Sequence, residues 1–368
     1  MSRIYEGTHD FTGATVVGVG GSGQTIYDAI VASGGGKDYT TLGAAITAGH
    51  KFILIMDGTT VEAGAITLPS YTHIVGESLN ARVGMGTNLL TLGAYNTVEN
   101  IMILSTLATD QIILGGDSTV VKGCWIWNMH TTNPGTREGT VTDNGVARGR
   151  IRFYDCQFVL CGAAVDMDNR TGIYQSATGS SDWKFIGCSF VGENSTIAIL
   201  PMYFLGTRML VSDCNFESLG DGSRLMIYFG GDYCTASNIT VKASSCQLGI
   251  DGDHCVVSNL IAETGSTMFL NLNGAHTVVT NCSGIMEVRT TVTGHHSYIN
   301  NVITTTGMSI LSDSCTISNC RAGADAGGGA VTITLASGAD NNIVIGCRTD
   351  AAISDSGTGN VLTSNMVY

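Results

Sequence analysis

The sequence is poor in proline and in basic residues. Only 3 of its 368 residues are proline and 17 are lysine or arginine, against 30 aspartates and glutamates, which gives a formal net charge of −13. Binding to nucleic acid phosphates needs clustered Lys and Arg, and here these residues are spread thinly along the chain. Nucleic acid and anionic membrane surfaces are therefore not predicted partners.

The sequence also lacks long apolar runs. No segment approaches the roughly 20 apolar residues that span a bilayer, and no N-terminal apolar run follows a basic stretch. These absences predict a soluble protein without membrane insertion and without a Sec-type signal peptide.

Glycine, in contrast, is abundant at 49 residues, and Thr, Ser, Asn, Val and Ile dominate the middle and the end of the chain. This composition is typical of many short strands joined by tight turns. It is uniform from about residue 50 onward, so one architecture has to account for most of the chain.

A five-residue pattern recurs along the chain: two apolar or β-branched residues, a small or polar residue, then Asn, Gly or Asp, then Cys or an aliphatic residue. The eleven copies end at Ile101, Cys124, Cys156, Cys188, Cys214, Ile239, Leu260, Cys282, Val302, Cys320 and Cys347. Successive copies are 18 to 32 residues apart and cluster in the low twenties. Such a repeat of short strands, without a leucine ladder, indicates a β-solenoid. We predict an all-β, single-stranded, right-handed parallel β-helix of about 11–13 coils, with a short N-terminal helical cap.

Stacked coils place equivalent side chains above one another. The asparagines of the pattern, Asn238, Asn259, Asn281, Asn301 and Asn319, are predicted to form a turn ladder in which the amides bond along the axis. The residue after each turn points inward, so cysteine at this position is predicted to be a small buried hydrophobe rather than part of a disulfide or metal site. No CxxC pair occurs, and aliphatic residues replace cysteine freely at this position.

Residues 39–76 predict a short helix capped by Thr41, with Leu42, Ala45 and Ile46 facing the core, then a buried strand and the first coil. A helix here would cover the open end of the solenoid. The segment YTTLGAAITAGHKFILIMDG followed by THIVG resembles the N-terminal part of the pectate-lyase-like β-helix superfamily.

Residues 1–36 are predicted to be a Gly-rich attachment arm or linker, and residues 37–368 the β-helix. In the arm, QTIYDAIVASGGG carries one short helical pattern. Gly18, Gly20 and Gly23 form a literal GxGxxG, but no further βαβ units follow to complete a dinucleotide-binding sheet, so no cofactor is predicted.

The phrase DFTGATVVGV resembles the lead-in before the β-helices of many tailed-bacteriophage virion proteins, and the last 28 residues, from NNIVIGC to Tyr368, resemble their final coils. This resemblance implies a spike, fibre or head-decoration protein, assembled in the host cytoplasm and located in the virion. It also implies a homotrimer that contacts other virion proteins through the N-terminal arm, and contact with host polysaccharide.

The two longest intervals between repeats, both of 32 residues, are where a site is expected. They contain aromatic residues suited to stacking on sugar rings, so the predicted glycan-binding residues are Trp125, Trp127, Tyr174, Trp183 and Arg152. The alternative is that these aromatics pack the loops onto the rod. No histidine has a metal-ligand companion at a convincing spacing, so no metal site is predicted.

Glycoside hydrolysis needs two carboxyl groups about 5 to 10 Å apart. Asp166 and Asp168 are the predicted catalytic pair, because residues two apart in a strand share a face. The alternative is that DMDN is a turn. Partners from neighbouring coils could be Asp143, Asp182, Glu193 and Asp221. A lyase would instead use a basic residue, and Arg152, Arg170 and Lys184 lie in the same region.

Two functions remain open from the sequence. The first is a structural virion protein whose β-helix surface contacts host glycans. The second is a polysaccharide depolymerase, a hydrolase or lyase acting on bacterial surface glycans. The missing clear acidic pair favours the first.

Overall fold

The computed structural model describes residues 17–18, 24–25, 27–107, 110–129, 138–161, 170–193, 199–218, 224–263, 266–291, 295–323 and 332–367. Nearly all of its strands pair in parallel with the strands one coil before and one coil after. The result is the predicted right-handed parallel β-helix, with about twelve turns and almost no helix. No helix among the described residues is both long and apolar enough to cross a membrane.

The described elements follow one another in the following order. They are β1 (Val17–Gly18), β2 (Gln24–Thr25), β3 (Ala29–Val31), α1 (Leu42–Thr47), β4 (Phe52–Ile55), β5 (Gly58–Val61), β6 (Ile66–Leu68), β7 (His73–Gly76), β8 (Ala81–Gly86), β9 (Leu90–Leu92), β10 (Thr97–Glu99), β11 (Met102–Ser105), β12 (Ile112–Leu114), β13 (Val120–Lys122), β14 (Trp125–Asn128), β15 (Glu138–Thr142), β16 (Arg152–Tyr154), β17 (Gln157–Cys161), β18 (Arg170–Gln175) and β19 (Lys184–Ile186). They continue with β20 (Ser189–Glu193), β21 (Ile199–Phe204), β22 (Leu210–Ser212), β23 (Asn215–Ser218), β24 (Arg224–Phe229), β25 (Thr235–Lys242), β26 (Ser245–Ile250), β27 (Val256–Ala262), β28 (Met268–Leu272), β29 (Val278–Thr290), β30 (Tyr298–Ile310), β31 (Thr316–Ser318), β32 (Arg321–Ala322), β33 (Ile333–Leu335), β34 (Ile343–Ile345), β35 (Arg348–Thr349), β36 (Ser354–Asp355), β37 (Val361–Thr363) and β38 (Met366–Val367).

Each coil contributes one strand to each of three parallel faces. We call sheet A the face that contains β7, β10, β13, β16, β19 and β22 and continues through the first residues of β25, β27, β29 and β30 to β31, β34 and β37. Sheet B contains β8, β11, β14, β17, β20 and β23, and sheet C contains β9, β12, β15, β18, β21, β24, β26 and β28. The eleven copies of the five-residue pattern all start on sheet A strands, which confirms the predicted register.

Two residues with left-handed backbone bracket each sheet A strand from β10 to β37 and lie five positions apart. We call ridge 1 the set before the strand, which comprises Tyr71, Tyr95, Ser118, Arg150, Asp182, Arg208, Tyr233, His254, His276, His296, Ser314, Asn341 and Gly359. Ridge 2 follows the strand and includes Asn100, Gly123, Asp155, Gly187, Asp213, Asn238, Asn259, Asn281, Asn301, Asn319, Gly346 and Ser364. A positive φ turns the chain sharply at little cost for Gly and Asn, which explains why the pattern favours them.

The predicted asparagine ladder runs along ridge 2 from Asn238 to Asn301, and Asn319, which was predicted to belong to it, does not bond to Asn301. The Nδ2 of Asn259 donates to the Oδ1 of Asn238 at 2.9 Å, and Asn281 and Asn301 each donate in the same way to the preceding asparagine at 3.2 and 2.8 Å. Ridge 1 has an aromatic counterpart that the sequence reading missed. There the rings of Tyr233, His254, His276 and His296 stack at 4.7 to 5.1 Å.

The core is a set of side-chain columns. Phe158, Phe190 and Phe216 stack on successive coils with ring centroids 4.6 and 4.9 Å apart and nearly parallel planes. The eleven cysteines whose side chains are described are all buried and free, which confirms their predicted role as small hydrophobes. Burial raises the pKa of the Cys282 thiol to about 11, so this thiol stays protonated and unreactive at neutral pH.

The predicted N-terminal cap is present. The Thr41 hydroxyl accepts a hydrogen bond from the Ala44 N–H at 3.2 Å, and Leu42 and Ala45 are buried against the first coils. The helical pattern predicted upstream is wrong at Ala29–Val31, because these residues form β3 and pair with β4. The small Ala29 and the β-branched Ile30 and Val31 are all buried, so this part of the predicted arm packs with the first coils.

We expect Asn259→Ala to lower the free energy of unfolding by about 2 kcal/mol, because alanine disfavours positive φ and removes two ladder bonds. Asn259→Gly keeps the backbone conformation and should cost less. Chemical denaturation of both variants measures this difference, and equal costs would contradict a contribution from the backbone conformation.

Cys282 shares its core column with Leu260 and Val302, so Cys282→Val should leave stability nearly unchanged, within about 1 kcal/mol. Cys282→Ser buries a hydroxyl group and should cost about 1–3 kcal/mol. Thermal unfolding compares the pair. A large loss in the valine variant would indicate that the thiol has a role beyond packing.

Candidate functional site

The predicted glycan-binding residues lie on three different faces of the β-helix. Trp125 and Trp127 both point outward from sheet B, where Trp125 is 36% exposed and Trp127 is half-buried. Tyr174 points outward from sheet C, and Arg152 is exposed on sheet A. These four residues therefore do not form one site.

The structure corrects the prediction that Trp183 binds a glycan, because the side chain of Trp183 is completely buried. The indole N–H donates to the carbonyl of Arg148 at 2.9 Å, so the ring is fixed inside the coil and has no face available for a sugar. Trp183 lies just before a sheet A strand, and the side chain at this place points inward, as those of Met209 and Cys234 do in the next coils.

The predicted catalytic pair, Asp166 and Asp168, lies outside the described residues, as does Asp221. Asp182 is among the described residues and forms an ion pair. Both of its oxygens accept hydrogen bonds from the Arg208 guanidinium, at 2.8 and 2.9 Å. This pairing lowers the pKa of the Asp182 carboxyl group, so it stays ionised and is unsuited to donate a proton.

The structure also corrects the suggestion that Asp143 is a catalytic partner, because this side chain is fully buried and binds neighbouring parts of the chain. One carboxylate oxygen accepts from the Gly145 N–H and from the N–H and hydroxyl of Ser176, at 3.0 to 3.2 Å. The other accepts from Gln175, the Ala177 N–H and the Ser180 hydroxyl, each at 3.0 Å. Six donors compensate a buried charge, and together they tie the ends of two neighbouring coils.

A column of three tyrosines runs along sheet C. Tyr174, Tyr203 and Tyr228 are in register on β18, β21 and β24, and all three are half-buried. The rings of Tyr203 and Tyr228 stack at 4.8 Å, while those of Tyr174 and Tyr203 are tilted at 5.6 Å. Of the three coils that carry these tyrosines, only that of Tyr174 is one of the two 32-residue intervals.

Polar groups on the next two coils lie beside this column, two residues further along the chain than Gly249 and Asn271, which are in register with Tyr228. The Tyr228 hydroxyl donates to one oxygen of the Asp251 carboxylate at 2.5 Å, and the Asn273 amide donates to the other at 2.6 Å. Asp251 is exposed, so this network faces solvent.

One further cluster lies beside this network. On β28 and β29 the Arg289 guanidinium lies 5.2 Å from the centre of the Phe269 ring and donates to Glu287 at 2.6 Å.

We give one name to the three tyrosines and the two polar residues beside them. We call Tyr174, Tyr203, Tyr228, Asp251 and Asn273 the tyrosine face. The sequence signal for it was a Tyr on each of three successive coils, which spacing alone does not assign to one sheet.

Among the described residues, no group of three or more His, Cys, Asp or Glu side chains is arranged to hold a metal ion. The stacked histidines of ridge 1 use their ring faces for one another.

We expect Asp143→Ala to lower the free energy of unfolding by about 3 kcal/mol or more, because it leaves several buried donors without an acceptor. Asp182→Asn is the matched control on an exposed ion pair and should change the urea midpoint little. If both variants unfold at the wild-type midpoint, the buried network does not stabilise the fold.

No protein-family model matches this chain, and no curated protein matches it. Among solved structures, the chain is similar to the catalytic domain of a GH87 alpha-1,3-glucanase in complex with nigerose, with 10% identity and a TM-score of 0.44 over 89% of this chain and 66% of the other. It is also similar to tailspike protein 3 of bacteriophage CBA120, with 12% identity and a TM-score of 0.43 over 88% of this chain and 57% of the other. A GH87 alpha-1,3-glucanase catalytic unit from Streptomyces thermodiastaticus gives 11% identity and a TM-score of 0.30 over 96% and 71%. The chain thus spans slightly less than two thirds of the first glucanase domain and just over half of the tailspike. Likenesses at this level do not indicate what this chain binds.

Proposed function

We propose that this chain is a β-helical surface protein of a tailed-bacteriophage virion and that it binds a glycan along the tyrosine face. The virion assignment rests on the resemblance of residues 10–19 and of the last coils to such proteins. In this proposal the chain forms a homotrimer, and its N-terminal segment contacts other virion proteins.

The observation that carries the glycan proposal is the tyrosine column followed by the Tyr228, Asp251 and Asn273 network. Tyrosine offers an apolar ring and a polar hydroxyl, which suits the apolar and hydroxyl surfaces of a sugar. A carboxylate and an amide at fixed positions add hydrogen-bonding groups that orient a ligand. The tyrosines are aligned along the axis and the polar groups lie to one side of their column, so together they suit an extended polysaccharide chain.

The described carboxylates on sheet C favour binding over cleavage. Glycoside hydrolysis needs one carboxyl group that delivers a proton. Asp251 already accepts two hydrogen bonds and Glu287 is paired with Arg289. Asp166 and Asp168 stay the predicted catalytic pair of the depolymerase alternative.

To test the proposal, the protein is incubated with a panel of bacterial capsule and lipopolysaccharide glycans, and affinity is measured by calorimetry. We expect Tyr203→Ala combined with Tyr228→Ala to weaken binding by about tenfold or more, since two stacking side chains are removed. Tyr298→Ala is the matched control, because Tyr298 is 40% exposed on sheet A. Equal affinity of the double variant and the wild type would refute the tyrosine face.

The same incubations separate binding from cleavage. Release of reducing ends or of unsaturated products, abolished by Asp166→Asn or Asp168→Asn, would establish the depolymerase alternative. Binding without product release supports a virion protein that attaches to glycans.

A further inference from the structure

Sheet A carries a cluster of basic side chains that the spread of Lys and Arg along the sequence does not suggest. Arg152 and Lys184 are in register on the adjacent strands β16 and β19, and both point outward. Lys122 lies on the outward side of β13, and Arg150 precedes β16 on ridge 1. We call these four residues the basic patch. They are nearly a quarter of the 17 basic residues in a chain of net charge −13.

The register of the patch is unfavourable for folding. Neighbouring strands are about 4.8 Å apart, so Arg152 and Lys184 place two like charges side by side, which destabilises a sheet. No described carboxylate lies within 4.0 Å of the charged atoms of Arg150, Arg152 or Lys184. Lys122 is in register with Glu99 on the adjacent strand and Lys184 lies near Asp182, so both lysines have a carboxylate in their neighbourhood. The two arginines, Arg150 and Arg152, are the residues suited to pair with an external anion.

The carboxylates around the patch are mostly engaged elsewhere. Asp182 is bound by Arg208, and Glu99 lies 3.5 Å from His73. Asp117 accepts the Gly149 N–H at 3.0 Å. Asp155 is on ridge 2, on the far side of Tyr154. Glu99, Asp117 and Asp155 therefore offset part of the positive charge of the patch, while Arg150 and Arg152 keep no ion pair with a described carboxylate.

A stacking surface adjoins the patch on ridge 1. Tyr71 and Tyr95 stack at 4.8 Å with parallel planes, and they are 60% and 46% exposed. Ser118 takes the next ridge position and Arg150 the one after it, since the N–H of Tyr95 bonds to Asp117 and that of Ser118 bonds to Gly149. Tyr95 and Arg150 are thus two coil steps apart, about 9.5 Å. The side chain between them, Ser118, is small and half-buried.

We propose that the basic patch, with Tyr95, binds an acidic polysaccharide whose carboxylate, sulfate or phosphate groups contact Arg150, Arg152, Lys122 and Lys184. A sugar ring lies above Ser118 between Tyr95 and Arg150, and the acidic groups of the same chain lie over the outward side of β13, β16 and β19. A polysaccharide fits better than nucleic acid, because four cations on an acidic protein offset few phosphates of a densely charged strand. This site is separate from the tyrosine face and does not depend on it.

The experiment measures binding of polygalacturonate, with dextran as the neutral probe and a poly-thymidine oligonucleotide as the nucleic acid probe. We expect polygalacturonate to bind, with affinity that falls as salt rises because exposed charges are screened. Arg152→Gln combined with Lys184→Gln should weaken binding about tenfold. The matched control is Lys37→Gln combined with Lys51→Gln, which removes the same charge from exposed positions near the N-terminal cap and should bind as the wild type does.

Several outcomes would overturn the proposal. They are no binding of polygalacturonate, equal binding of dextran, equal loss in the two double variants, or tighter binding of the oligonucleotide. Tyr203→Ala should leave polygalacturonate binding unchanged, so failure of this site and failure of the tyrosine face are distinguishable. Thermal unfolding gives a second readout: Lys184→Gln should keep or raise the midpoint because it removes like-charge repulsion, whereas a structural role for Lys184 would lower it.

Discussion

The whole molecule depends on the axial register of one coil upon the next. Parallel strands hold neighbouring coils at a fixed spacing, so any side chain that recurs at the same place in the coil meets its own kind above and below. Phenylalanines stack in the core, tyrosines on sheet C, histidines on ridge 1 and asparagines on ridge 2. The same rule places Arg152 and Lys184 side by side, where two like charges on adjacent strands repel each other.

Backbone conformation determines which part of each coil can change in length. The left-handed residues before and after each sheet A strand hold a constant five-residue separation, as in Tyr233 and Asn238 or His254 and Asn259. Variation in coil length therefore occurs elsewhere, mainly between sheets B and C, where Asn128 and Glu138 or Cys161 and Arg170 are the flanking strand ends. Binding residues that border these segments can change while the core columns stay in register.

The sequence was sufficient to predict the fold because its strongest pattern recurs once in each coil along the axis. The five-residue pattern predicted the coils, the inward cysteines and the asparagine ladder, and Thr41 marked the cap. The site was harder, because order along the axis does not say which of three faces a side chain occupies. Trp183 and Trp125 have the same residue type, yet one lies inside the coil and the other outside. The ridge 1 stack had a signal that was missed, since Tyr233, His254 and His276 each precede an asparagine of the ladder by five residues.

The asparagine ladder has one more property, which comes from its N-terminal end. The Asn238 amide donates to Asp213 at 2.8 Å, and Asp213 also accepts from the Ser212 hydroxyl. These two hydrogen bonds lower the pKa of the Asp213 carboxyl group, so it is an anion that can only accept. An anion at this end obliges Asn238 to turn its NH₂ group toward it and its oxygen away, and each later asparagine has to follow. One carboxylate thus sets the orientation of the four amide dipoles from Asn238 to Asn301, and this row of side chains is polarised in a single direction along the rod.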